Sequence, residues 1–375
     1  MRIDTAKLSS LQRENLVSAL SAYHERNRIS SSHPVALYIE LTKNCIGRCR
    51  FCRKGWRNHP RYNMSKDLFE TLLKEYVPYA TFVDLRGFGE SLMLSDFDWY
   101  VEKVSQVCPH IRLTTTLGCG SQRVLQSLVD HDVFISVSFD AADKPTFEAI
   151  RKGIRYDTVI KNMEFLSRQI LRKHGRLDDR MRIAIAPLQA ANLDYIEGII
   201  DLAERLGITG IRILPLSAHA FSFNRLYYHK RKTMKKLLMA IRHAHKKGVS
   251  LQLGTSPFSE LRFDDKVRDC CCKPWMYAAV NYEGKMLHCD CKLSLSDNTG
   301  FLGWIHESPE TVWNGVSARL VRTSHANKHR LSDDCSRCYR QGRYCDHEQD
   351  IDHQFLRWLV TDKEMEEKIS ASSMI

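Results

Sequence analysis

Six short apolar runs, each followed by a helix-like stretch, set the first constraint on this chain. They are V-A-L-Y-I-E-L from residue 35, T-F-V-D-L-R-G from 81, I-R-L-T-T-T from 111, V-F-I-S-V-S-F from 133, R-I-A-I-A-P-L from 182 and G-I-R-I-L-P-L from 210. Strands alternating with helical segments predict a parallel α/β sheet. Right-handed crossovers curl such a sheet into a barrel or part of one, and chemistry then gathers at the carboxyl ends of the strands. Helix starts are readable too. Ser65 is placed to cap a helix through Leu68, Leu72 and Tyr76, and Asp143 one with Pro145 in its first turn. Four segments follow: a helical extension over 1–34, an α/β core over 35–262, a cysteine-rich unit over 263–347 and a charged helical tail over 348–375.

Composition excludes more than it assigns. No run of 18 or more apolar residues is present, so no membrane span is expected. The N-terminus M-R-I-D-T-A-K-L-S-S-L-Q-R lacks an apolar signal core, which makes the cytoplasm the expected location. There thiols stay reduced and serve as metal ligands or reactive groups. A net charge of +12 is compatible with anionic partners. The most basic segment, Y-H-K-R-K-T-M-K-K-L-L-M-A-I-R-H-A-H-K-K, reads as an amphipathic helix with Met234, Leu237, Leu238 and Ile241 inward and a solvated basic face. Nucleic acid is therefore not the expected partner.

The 13 cysteines are clustered. Cys45, Cys49 and Cys52 stand in L-T-K-N-C-I-G-R-C-R-F-C-R-K-G-W-R, directly after the first strand and among Lys43, Arg48, Arg50, Arg53, Lys54 and Arg57. Chance would yield this C-x3-C-x2-C spacing about 0.02 times in such a chain. A structural zinc site needs a fourth ligand, for which His59 is available. Three thiolates on an iron–sulfur cubane instead leave one iron open to a substrate, and the basic neighbours would favour thiolates and offset a reduced cluster's charge. A second group is Cys270, Cys271, Cys272, Cys289 and Cys291, and a third Cys335, Cys338 and Cys345. Cys108 and Cys119 stand apart and read as small core residues.

C-I-G-R-C-R-F-C, with aromatic Phe51 before the third cysteine, resembles the signature of the radical S-adenosylmethionine enzymes. R-G-F-G-E-S-L resembles their Gly-Gly-Glu motif, with Phe88 in place of one glycine; the resemblance implies that Glu90 meets the cofactor's amino group. S-V-S-F-D-A-A-D-K-P-T-F-E-A-I-R-K-G resembles the family's fourth-strand region, which implies that Ser138 and Arg151 bind the cofactor's carboxylate or ribose. No role carries over to T-T-T-L-G-C-G. Implied with the family are a partial (β/α)6 barrel, a 4Fe-4S cluster, S-adenosylmethionine and a reducing partner such as flavodoxin or ferredoxin. In that family, reductive cleavage of the sulfonium gives methionine and a 5′-deoxyadenosyl radical that abstracts hydrogen from a C–H bond.

The C-terminal cysteines, read with C-C-C-K-P-W, G-K-M-L-H-C-D-C and C-S-R-C, resemble the SPASM/twitch extension of such enzymes. That resemblance implies one auxiliary 4Fe-4S cluster on Cys271, Cys289, Cys335 and Cys338, with Cys272, Cys291 and Cys345 as alternatives; a four-thiol zinc ribbon is the competing expectation. The implied reaction is oxidation or epimerisation of a sugar-like or aminocyclitol-like substrate. Peptide modification of the sulfatase-maturase or ribosomal-peptide kind is the second expectation. A zinc-dependent nucleic-acid-binding protein is the non-enzyme alternative.

Overall fold

The computed structural model describes residues 4–52, 57–177, 180–215, 229–253, 270–293, 300–329, 331–332 and 335–336. All six expected strands are present: β1 (Ala36–Ile39), β2 (Phe82–Asp84), β3 (Ile111–Thr115), β4 (Phe134–Ser138), β5 (Met181–Leu188) and β6 (Gly210–Pro215). They pair in chain order and in parallel. Between them run α2 (Lys66–Glu75), α3 (Phe97–Ser105), α4 (Gln122–Asp130), α5 (Lys144–Ile150), α6 (Tyr156–His174) and α7 (Ile196–Arg205). The expected caps form. Ser65 Oγ accepts from Leu68 N–H at 3.3 Å, and Asp143 Oδ2 from Thr146 N–H at 2.9 Å.

Two features go beyond the expected pattern. After α8 (Lys230–Lys246) a seventh strand, β7 (Ser250–Leu253), pairs in parallel with β6. Its S-L-Q-L is short and half polar, so no apolar run marks it. Beyond it, β8 (Tyr277–Val280) pairs in parallel with β1, and β9 (Lys285–Leu287) and β10 (Phe301–Trp304) continue antiparallel. One ten-stranded sheet results, in the order β10-β9-β8-β1-β2-β3-β4-β5-β6-β7. The cysteine-rich segment thus hydrogen-bonds directly to the strand that launches the first cysteine loop.

Alternation along the strands sorts the side chains. Leu37, Ile39, Val83, Ile111, Leu113, Ile135, Val137, Ile183, Ile185, Ile211 and Ile213 join the large core with the helices. The other face carries Tyr38, Asp84, Arg112, Ser136 and Arg182, where Asp84 accepts from Arg112 Nη2 at 2.7 Å and Arg86 Nε at 2.8 Å. A second core joins α1 (Ser10–His24) to α9 (Lys273–Met276), through Leu16, Ala19 and Leu20 against Cys270, Cys272 and Trp275. Two further helices follow β10, α10 (Pro309–Asn314) and α11 (Val316–Asn327), with the buried Arg322 of α11 donating to the Pro274 carbonyl at 3.0 Å.

The basic helix corrects the expected facing. Leu237, Ala240 and Ala244 are buried, whereas Leu238 and Ile241 are exposed. The packed line follows the i, i+3, i+7 positions from Leu237, a narrower stripe than the sequence suggests. The tail over 348–375 lies outside the described residues.

Candidate active site at the carboxyl edge of the sheet

Because β1 to β5 are parallel, the loops after them meet at one edge. The cysteine loop after β1 is pinned by its backbone before any metal enters. Cys45 N–H donates to Asn58 Oδ1 and Asn58 Nδ2 returns a bond to the Cys45 carbonyl, both at 3.0 Å. Further along, Arg48 N–H donates to the Lys152 carbonyl at 2.7 Å and Arg50 N–H to the Ile150 carbonyl at 3.1 Å. At Gly153, φ is +89° and a Cβ would stand 2.9 Å from the Ile46 carbonyl oxygen, so this approach needs glycine. Cys45 and Cys49 are half-buried and Cys52 is exposed, a set open on one side.

A cation reaches Cys49 from outside the loop. Arg151, which follows α5, brings Nη1 to 4.0 Å from Cys49 Sγ. Its Nε binds Asp140 Oδ2 at 2.7 Å, and its Nη2 donates to the Ala186 carbonyl at 3.1 Å. The Phe51 ring lies under the guanidinium at 5.3 Å. Burial pushes the Cys49 thiol up and Arg151 opposes that shift. Arg151 is thus a buried clasp between the loops after β1 and β4 and strand β5. Asp140, with no exposure, also accepts from Ala186 N–H at 3.0 Å. It carried no assigned role in the sequence; its signal is its place two residues beyond the end of β4. Ser138 ends β4 and is half-buried.

The G-F-G-E loop after β2 docks on the cysteine loop. Glu90 N–H donates to the Asn44 carbonyl at 2.7 Å, and a Cβ on Gly89 would fall 2.2 Å from the Thr42 carbonyl oxygen. The Glu90 carboxylate is buried and turned toward β3. Its Oε1 accepts from Thr115 Oγ1 at 2.6 Å, and its Oε2 from Thr116 N–H at 2.8 Å and Thr116 Oγ1 at 2.7 Å. T-T-T-L-G, which carried no role, therefore holds the carboxylate. Glu40, just past β1, is fully buried and takes Phe88 N–H on Oε1 at 2.9 Å. Burial raises its pKa to about 7, against the Phe88 bond and the charge of Lys43.

The donor chemistry fits the implied cluster. Among the described residues, the groups of three metal-binding side chains whose ligand atoms lie within 4.8 Å of one another are His288, His325, Cys335 and Cys289, Asp290, Cys291. The Cys45, Cys49, Cys52 set is not among them, so at least one pair of its sulfurs stands more than 4.8 Å apart. His59 is spent locally, its Nδ1 accepting from Arg61 N–H at 3.1 Å.

The C-terminal cysteines divide. Cys289 Sγ lies 3.5 Å from Lys273 Nζ, which also binds Asp290 Oδ1 at 2.6 Å. Cys335 Sγ lies 3.8 Å from His288 Nε2 instead. Cys271 is buried, while Cys338 and Cys345 lie outside the described residues. Cys108 is a buried core residue as expected, its thiol pushed up to about 12 by burial. Cys119 is half-buried and packs against the same core.

An open parallel α/β sheet with a three-thiol loop at the mouth of its first strand defines the class. Residues 39–177 match the Radical SAM superfamily, so the chain carries a radical SAM domain, and a cysteine-rich C-terminal region follows it. Proteins of this superfamily use a 4Fe-4S cluster and S-adenosylmethionine, and the additional cysteines fit an auxiliary cluster. No curated protein matches the sequence. Among solved structures, the chain is similar to Streptococcus suis SuiB bound to the precursor peptide SuiA, at TM-score 0.61 and 15% identity over 83% of this chain and 71% of that one. It is also similar to anSMEcpe with bound AdoMet, at TM-score 0.59 and 13% identity over 82% and 88%. The same enzyme with AdoMet and the Cp18Cys peptide gives TM-score 0.58 and 14% identity over 82% and 87%. No helix among the described residues is long and apolar enough to cross a membrane.

Proposed function

We propose that Cys45, Cys49 and Cys52 hold the S-adenosylmethionine-binding cluster and that the enzyme abstracts hydrogen from a peptide or protein substrate. The observation that carries the radical reading is the meeting, at one sheet edge, of the three-thiol loop, the Glu90 loop and the Arg151 clasp. When bound, the reduced cluster supplies the electron that cleaves S-adenosylmethionine into methionine and a 5′-deoxyadenosyl radical.

The chain's own residues do the positioning. Asn58 and the 150–152 backbone fix the thiol spacing. Arg151 sets positive charge against Cys49 and, being buried, is little screened by water. Glu90, saturated by Thr115 and Thr116, ties the loop after β2 to the end of β3. We assign to this edge, with Phe51 and Ser138, the seating of the cofactor's methionine and ribose, its amino group meeting the G-F-G-E loop. Held this way, the reacting groups meet in one geometry rather than by collision.

Of the two substrate classes expected, the peptide is the better supported, because two similar solved structures hold peptides on this fold. Oxidation or epimerisation is the reaction type assigned, with a flavodoxin or ferredoxin as electron donor and the cytoplasm as location. The 263–347 unit would hold the auxiliary cluster through Cys271, Cys289 and Cys338, with Cys272 and Cys345 available for the remaining position; Cys291, within 4.8 Å of Cys289, stands too close to it to serve a second iron.

The test is anaerobic turnover of the reconstituted enzyme with peptides encoded near its gene and, in parallel, with polyols and aminocyclitols, read by mass spectrometry. A peptide product two hydrogens lighter, or of equal mass with deuterium gained from solvent, is expected. A modified polyol with unaltered peptides would overturn the substrate reading and leave the radical reading intact.

A further inference from the structure

We propose that His288, His325 and Cys335 bind a single zinc ion at a site separate from both iron–sulfur clusters. Three observations carry it. The ligand atoms of the three residues lie within 4.8 Å of one another, and His288 Nε2 stands 3.8 Å from Cys335 Sγ. Zinc–sulfur and zinc–nitrogen bonds of about 2.3 and 2.0 Å place two ligand atoms about 3.6 Å apart across a tetrahedral edge. On a cubane each ligand binds its own iron, so the ligands stand apart by the width of the cluster. The spacing here is that of one ion.

The second observation is the direction of His288. Its neighbour Cys289 has extended backbone, φ −155° and ψ 136°. Successive side chains of an extended segment leave opposite faces. Cys289 accordingly meets Lys273 and Asp290 while His288 meets Cys335. A centre that includes Cys335 therefore recruits the histidine more readily than the cysteine beside it.

Third, the imidazole is held as a metal ligand needs it. His288 Nδ1 lies 3.2 Å from the Gly300 carbonyl. A carbonyl only accepts, so Nδ1 carries the proton and Nε2 presents its lone pair toward Cys335. Gly300, at φ +84°, lies against the ring, where a Cβ would come within 2.6 Å of His288. Both histidines are buried, His325 on α11 and His288 just past β9, so the ion would tie the last described helix to the sheet. Three protein ligands leave the fourth position to water or another thiolate.

The site is independent of the radical chemistry, and its test reads metal rather than turnover. The full chain is reconstituted anaerobically with iron, sulfide and equimolar zinc, and its metals are counted by mass spectrometry. The wild type should hold one zinc per chain beside its iron. His288→Ala and His325→Ala should each lose that zinc with iron and sulfide unchanged, and His288→Cys should restore it. Loss of about four irons from either alanine variant would place these residues on a cluster and overturn the proposal. So would zinc retained in both. If an alanine variant does not fold, cobalt in the wild type decides. Intense tetrahedral bands with a sulfur-to-cobalt transition support the site, and weak octahedral bands alone overturn it.

Discussion

The two cysteine regions of this chain are built by different rules. In the first, position along the chain does most of the work: three thiols within eight residues stand on a loop anchored through Asn58, Ile150 and Lys152. In the second, position along the chain misleads. His288 and Cys289 are adjacent, yet one meets Cys335 and the other Lys273. A loop that encloses its ligands can be read from spacing; a strand that distributes ligands to two faces must be read from direction.

The largest expected effect tests the functional side of that contrast. Cys49→Ala should reduce 5′-deoxyadenosine formation to background and lower iron by about four per chain, because the loop has no spare thiol. Cys271→Ala should leave 5′-deoxyadenosine formation in place while lowering auxiliary iron. Anaerobic chromatography of cleavage products, with iron counted on the same samples, checks both. Equal loss of cleavage in the two folded variants would erase the distinction between the regions.

How much was legible follows from the same physics. The six core strands and the caps at Ser65 and Asp143 are short-range patterns, and each is present. The Arg151–Asp140 clasp and the Glu90–Thr116 tie were not legible, since their partners lie 11 and 26 residues apart and meet only when β-strands align. The exposed Leu238 and Ile241 show the limit of a helical stripe read without its neighbour, because α7 covers only part of it. The split of Cys335 from Cys289 depends on backbone direction at one residue, which spacing does not encode.

An intermediate effect is expected where the two regions touch. Glu40 is fully buried, bonded to the G-F-G-E loop, and next in chain to the β1 residue that pairs with β8. Its folded pKa of about 7 lies above the ordinary carboxyl value of 4.5, so the folded state keeps a proton that the unfolded chain has released. Stability therefore falls as pH rises from about 4.5 to about 7 and levels off above that. The shift corresponds to about 3 kcal/mol. Glu40→Gln should remove most of that slope and be the more stable protein at pH 8. Urea midpoints of both proteins at pH 5 and pH 8 measure it, and identical slopes would mean the carboxyl is solvated.

The smallest effect probes what braces the second region. Helix α1 begins with a reciprocal cap: Ser9 Oγ accepts from Gln12 N–H at 3.2 Å, and Gln12 Oε1 accepts from Ser9 N–H at 3.0 Å. That helix supports α9 through Leu16, Ala19 and Leu20, and Tyr23 Oη donates to the Cys270 carbonyl at 2.9 Å. The chain just beyond it supplies the Asn27 carbonyl, which accepts from Trp275 Nε1 at 2.7 Å. Ser9→Ala should cost about 1 kcal/mol. If α1 and α9 open together, amide exchange at Trp275 and Met276 should quicken about fivefold. Cys52 and Arg48, whose amides bond within the first loop and to residue 152, should exchange as before. Equal acceleration at both places would show one cooperative unit, and no change at Trp275 would mean the cysteine-rich segment stands without α1.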